Sequence, residues 1–250
     1  RPLVLKSSKD VSQFEFSYSG KINDIVSDVN MISDDLVELA IYSAWFPFSG
    51  EIKKFNYRLE LNIPKQFVVT GNGKISLLQT DKKTKTYSIS SMSPTSDITI
   101  LASPKIEKKI EKSNNLTVEM YFPIGEKELV KGKVEVISNA LKRLEKLFGK
   151  TESEGLLRFV YSPRGGWGYS RLPLFIVSSK YADKLRKKYL GKEISIHGNI
   201  HELGHFWWSI ADVNTPDDWI NEAAAEFSAF TLSSQIFGDK FKQYLIKKYH

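Results

Sequence analysis

Three of the chain's four histidines lie between residues 197 and 205, and two of them bracket the pentad His201-Glu202-Leu203-Gly204-His205. Residues i and i+4 of a helix stand one above the other, so His201 and His205 can each direct a ring nitrogen at one point. Two imidazoles converging on a point suit a zinc ion. Glu202, about 100° around the helix from His201, reaches beside that point without ligating it. There it can take a proton from water as a general base and return it to a leaving amine. The bland alternative is a pair of ordinary helix histidines.

A catalytic zinc commonly takes three protein ligands, and the next segment offers a third. Thr215-Pro216-Asp217-Asp218 reads as a helix start, with a capping residue, a proline suited to the first turn, and acids at the positive end of the dipole. The helix runs on through Trp219 to Phe227, with Ile220, Ala223, Ala224 and Phe227 as its expected packing stripe. Glu222 and Glu226, four apart, share one face. If the two helices pair antiparallel across the loop after Ala211, Glu222 meets the histidines as third ligand. Glu226, one turn further on, either accepts the other N–H of a ligand imidazole or is a solvated surface acid. On the first helix Ile200, Leu203, Trp207 and Ile210 form an apolar stripe opposite the histidines. Gly204, in mid-helix, points to close approach of another backbone or a substrate.

His201 to Trp208 (HELGHFWW), followed by Asp218 to Phe227 (DWINEAAAEF), resembles the zinc core of the aminopeptidase N family of gluzincin metallopeptidases. Sixteen residues separate His205 from Glu222, two fewer than the family usually has. The resemblance implies Zn2+ held by His201, His205 and Glu222, with Glu202 catalytic and Asn221 and Glu226 in support behind the ligands. It implies a peptide or protein substrate. Gly165-Gly166-Trp167-Gly168-Tyr169-Ser170-Arg171 stands where the family carries its substrate-binding segment, which assigns Gly165, Gly166, Trp167, Gly168, Tyr169 and Arg171 to the substrate. That segment precedes or forms an edge strand, and Leu172 to Ser178 fits a strand able to pair with a substrate backbone. The family's Glu for a substrate amino terminus is missing, since no Glu occurs between Leu157 and Lys192. Arg171 either meets an acidic substrate group or is a surface arginine. Tyr169 either stands in for the family's oxyanion tyrosine, which lies further downstream of the third ligand than this chain extends, or packs. A noncatalytic peptide- or protein-binding module of the same fold is the alternative to an enzyme.

The elements that must position these groups divide the chain in two. Residues 1–113 carry strand-like runs between turn signals, at Gln13–Tyr18, Phe55–Leu61, Tyr87–Ser90 and Ile98–Leu101, and read as an antiparallel β domain. The sequence Ala44 to Phe48 (AWFPF) also resembles the family's N-terminal domain, which begins with further strands; preceding sequence is therefore expected. Residues 114–250 read as strand (Thr117–Phe122), long helix (Glu126–Phe148), strand (Leu156–Tyr161), strand (Leu172–Ser178), then helices. The fold class is α+β, an N-terminal antiparallel β domain followed by a thermolysin-like zinc metallopeptidase domain that is C-terminally incomplete. Between the halves, Lys105 to Lys112 (KIEKKIEK) is a solvated strand or connector, or a basic contact surface.

The 250 residues carry a net charge of +7, a balance that suits nucleic acid, anionic membrane surfaces or acidic peptides. Its 36 basic and 29 acidic residues are interspersed, and without a recognition motif no nucleic-acid partner is expected. No apolar run is long enough to span a membrane. The absence of cysteine excludes disulfides and thiolate ligation.

Overall fold

The computed structural model describes residues 15, 17–22, 29–42, 45–47, 54–113, 115–186, 188–209, 211 and 215–249. Among them run β1 (Met31–Ile32), β2 (Val37–Leu39), β3 (Arg58–Pro64), β4 (Val68–Gly71), β5 (Lys74–Thr80), β6 (Thr84–Ser90), β7 (Ile100–Ser103), β8 (Ile106–Ser113) and β9 (Leu116–Pro123). There follow α1 (Lys133–Phe148), β10 (Leu156–Ser162), β11 (Tyr169–Arg171), β12 (Leu174–Ser178), α2 (Ser179–Arg186), α3 (Gly191–Gly204), α4 (Asp218–Phe237) and α5 (Asp239–Tyr249). The class is mixed α+β.

A five-stranded sheet in the order β11-β12-β10-β9-β8 forms the middle of the fold. β9, β10 and β12 are parallel, while β8 and β11 run antiparallel at its two edges. Residues along its inner strands alternate between two cores. Met120, Phe159, Tyr161 and Phe175 pack with Ile137, Leu144, Ile200 and Leu203 of the helices. Tyr121, Val160 and Ile176 face the other way, onto Leu36 and Leu101 of the β half. Cover on both faces is why β10 reads as a nearly continuous apolar run. A four-stranded sheet, β1-β2-β7-β4, lies on the second face, and its far side packs on the three-stranded sheet β3-β6-β5 through Ile63, Val69, Ile89 and Ile100.

Several expectations are corrected by this architecture. The division after residue 113 falls in the turn of a hairpin, because β8 pairs with β9 along its whole length. Residues 106–113 thus belong to the sheet of the second half. Their lysines and glutamates suit an edge strand, where charge discourages further pairing. The helix expected from Glu126 begins only at Lys133, behind a 3-10 turn at Lys127–Leu129 and Gly132 at a φ of 67°. Phe55 makes an isolated bridge to Thr95 rather than starting β3. Gln13, Phe14 and Phe16 of the run Gln13–Tyr18, together with Ala44, Phe48 and Ile210, lie outside the described residues. Among the described residues, no helix is long and apolar enough to cross a membrane.

Candidate metal centre and cleft

α3 and α4 pack antiparallel, and glycine sets how near they come. A Cβ on Gly204 would sit 3.0 Å from Ala225 Cα, closer than ordinary packing, so the small pair Gly204–Ala225 fixes the separation. This bears out the expectation that another backbone approaches Gly204. The buried face of α4 is accordingly Asn221, Ala225, Ser228, Ala229 and Leu232. The expected stripe is wrong: Ala223 and Phe227 are exposed, and Ile220 and Ala224 are only half-buried. Small residues, rather than large apolar ones, make the close contact. On α3 Ile200 and Leu203 are buried as expected, but the helix ends at Gly204 and Trp207 lies beyond it. Thr215 opens α4, its hydroxyl accepting from the Asp217 N–H and its carbonyl from the Asp218 N–H.

The turn of the pair brings His201, His205 and Glu222 together. His201 Nε2 and His205 Nε2 are 3.2 Å apart, and Glu222 Oε2 and Oε1 lie 3.3 and 3.5 Å from them respectively. Each ring is held from behind. His201 Nδ1 donates to Glu226 Oε2 at 2.9 Å, and His205 Nδ1 donates to the Trp208 carbonyl at 3.1 Å. With both Nδ1 atoms committed as donors, each Nε2 is left facing the Glu222 carboxylate, where a proton or a metal ion can sit between them. Burial opposes a charge on His201, yet its hydrogen bonds to Glu222 and Glu226 and the nearby Glu202 push its pKa up to about 10. The cluster therefore attracts positive charge strongly. The His201 hydrogen bond holds Glu222 below its ordinary value.

Glu226 is not a free surface acid. Its second oxygen accepts from His197 Nε2 at 2.7 Å and from the Tyr249 hydroxyl, and His197 Nδ1 meets Ser233 Oγ at 2.8 Å. Burial would raise the Glu226 carboxyl, but the His197, His201 and Tyr249 hydrogen bonds hold it well below the usual carboxylate range. Asn221 has a different task from the one expected. Its side-chain amide brackets Ala211, accepting from that residue's N–H and donating to its carbonyl, each at 3.0 Å, and so ties down the connection between the helices.

Glu202 is buried under the edge strand β11, where Ser170 Oγ lies 2.8 Å from its Oε2 and 2.7 Å from its carbonyl. Gly168 gives the carboxylate its room. Burial raises the Glu202 carboxyl above its ordinary value, against the pull of His205, His201 and Ser170. The free sheet edge belongs to Tyr169–Arg171; Leu174–Ser178 is an inner strand between β10 and β11, so backbone pairing with a substrate is open only to β11. Two of the side chains expected to meet substrate are otherwise engaged. Tyr169 is buried with its hydroxyl 3.0 Å from Glu38 Oε1, which removes it as an oxyanion donor. Arg171 Nε donates to the buried Asp97 at 2.7 Å, so it is neither a surface arginine nor free for substrate. Gly166, Trp167 and Gly168 line a cavity of about 460 Å³ beside Glu202, with Trp167 exposed, while the Gly165 carbonyl accepts from Arg164.

His197 and Ser170 were missed in the sequence. His197 precedes His201 by four residues, so a HxxxHExxH spacing was there to be read. Ser170 carried no local signal, because it meets Glu202 only once the sheet carries β11 over α3. No family model matches the chain, and no curated protein matches it in sequence.

Proposed function

We propose that the chain is a zinc-dependent metallopeptidase whose second half is a thermolysin-like catalytic unit. One observation carries the reading: the mutual separations of the three donors. Donors about 2.1 Å from a tetrahedral zinc lie about 3.4 Å from one another; the two Nε2 atoms are 3.2 Å apart, with one Glu222 oxygen 3.3 Å from His201 and the other 3.5 Å from His205. Among the described residues these three form the group able to hold a metal. Two imidazoles and a carboxylate suit zinc, and Glu226 and the Trp208 carbonyl hold each ring by Nδ1 so that both Nε2 atoms face the point between the ligands. When bound, zinc supplies Lewis acidity, polarising a substrate carbonyl and acidifying water.

The chain's own groups supply the rest. Glu202, buried and raised in pKa, accepts the proton of the attacking water and delivers it to the departing amine. Ser170 keeps that carboxylate in one orientation between the two transfers. β11 offers its free edge to an extended peptide. Aminopeptidase action has no anchoring Glu in the segment before α3. A second reading, a zinc-holding binding module, is favoured by one observation: Tyr169 spends its hydroxyl on Glu38 and leaves the cleft without that donor.

The decisive experiment joins metal content to cleavage. One equivalent of zinc after dialysis, lost in Glu222→Ala, with cleavage of a mixed peptide library that disappears in zinc-loaded Glu202→Gln, is the expected result. Full cleavage by that variant would sink the role of Glu202, and a zinc-loaded wild type that binds peptides without cutting them would select the binding module. Equal rates on free and blocked amino termini would exclude an aminopeptidase.

A further inference from the structure

Lys133, the first residue of α1, is buried with its ammonium on the Tyr161 hydroxyl and, at 2.8 Å, on Ser195 Oγ. Among the described residues no carboxylate pairs with it. A buried cation held only by neutral hydroxyls and an aromatic ring is unusual, because its desolvation is not offset by a counter-charge. Lys133 can only donate, so Tyr161 and Ser195 act toward it as acceptors. Each then keeps its own hydroxyl proton, and among the described residues neither proton has an acceptor.

Tyr161 and Ser195 are among the residues that line the cavity beside Glu202, as is a third residue carrying a donor without a partner. Asn199 is buried, and among the described residues its Nδ2 has no hydrogen-bond acceptor. Glu202, Asn199 and Ser195 follow one another at spacings of three and four along α3, which puts them in a row on one face. From Glu202 to Ser195 the row covers about 10 Å, within reach of a residue with a long side chain or of about three residues of extended backbone. Val177, Leu185 and Ile194 supply apolar walls. An apolar cavity whose wall includes three residues with unused donors, two of them backed by an unpaired ammonium, suits an anion with several acceptor sites.

We propose that this cavity selects a substrate carboxylate, with Lys133 acting through Tyr161 and Ser195 beside Asn199, and so directs the protein to peptides carrying an acidic residue or a chain terminus near the cut bond. Assigning the carboxylate to a peptide that is cut rests on the hydrolytic reading above; the pocket itself does not. Lys133 is a specificity-determining residue, and the net charge of +7 suits acidic peptides.

The test is calorimetric binding of small uncleavable probes to the zinc-loaded full chain. N-acetylglutamate amide against N-acetylglutamine amide reads an acidic side chain, and N-acetylalanine against its amide reads a chain terminus. The expected result is tighter binding of the carboxylate in at least one pair, by about tenfold or more, and the pair that discriminates names the source. A carboxylate that merely ligated zinc would be indifferent to Lys133, so the preference should vanish in Lys133→Met and fall severalfold in Ser195→Ala. Losing an unpaired buried charge, Lys133→Met should melt no lower than wild type; Ser195→Ala supplies the comparison if it does not fold. Equal affinities within both pairs, or a preference that survives both substitutions, would overturn the proposal. Probe binding without peptide cleavage would defeat the hydrolytic reading and leave the pocket standing; cleavage without carboxylate preference would do the reverse.

Discussion

Gly168 and Glu202 are packed so that a Cβ on the glycine would fall 2.3 Å from Glu202 Oε1 and 2.9 Å from the Ile176 carbonyl. Gly168→Ala therefore has to displace the carboxylate from Ser170 while leaving the three donors of α3 and α4 untouched. The variant should keep its zinc and lose about tenfold or more in kcat, since a small misplacement of a proton-transfer group is costly. Zinc content and single-turnover cleavage, measured together, would expose the opposite outcome of full activity.

Glu222 and Glu226 have separable effects. Glu222→Ala removes a donor of the metal cluster and should abolish stable zinc binding. Glu226→Ala removes the acceptor behind His201 and His197 and should weaken zinc by about 10- to 100-fold without abolishing it. Competition with a chromophoric chelator ranks the two; equal losses would contradict the division.

Gly204→Val should both destabilise the protein and weaken zinc. The added side chain meets Ala225 Cα and Cβ at the crossing of α3 and α4, an overpacking that costs about 1–3 kcal/mol. Forcing the helices apart also separates Glu222 from the histidines. Chemical denaturation and zinc affinity should fall together, and a variant that lost stability alone would show that the ligand geometry survives the change in spacing.

Acid should weaken the sheet through Glu119. Burial opposes its charge, but Lys108 and Arg158 win and lower its pKa. A depressed folded-state pKa means that this stabilisation is present above the unfolded value of about 4.3 and is lost as pH falls through the folded one. Below about pH 5 the stability of wild type should drop more steeply than that of Glu119→Gln, and parallel melting curves across that range would count against the assignment.

The parts of the site that could be read in the sequence are those fixed by helical spacing. His201, His205, Glu202, Glu222 and Glu226 lie on two helices whose geometry is local, and only the pairing of the helices had to be supplied. The failures share a different cause. Ile220, Ala223, Ala224 and Phe227 were expected to pack because they are apolar, whereas the face of α4 was chosen by the nearness that Gly204 and Ala225 permit. Tyr169 and Arg171 were candidates for substrate until Glu38 and Asp97, 131 and 74 residues away, engaged them. The hairpin of β8 and β9 likewise erased a boundary that composition alone suggested.

Three arginines of the second half take partners from the first. Arg158 donates to the Gly71 and Gly73 carbonyls, Arg164 to Glu38, and Arg171 to Asp97. Cut away from residues 29–103, the second half would expose the apolar face of its sheet, leaving Arg164 and Arg171 without these carboxylates and Arg158 without two of its carbonyl partners. The edge strand over Glu202 thus owes its position to the β half, and the site is not a portable cassette. The two halves should unfold as one cooperative unit, with the cleft the joint product of both.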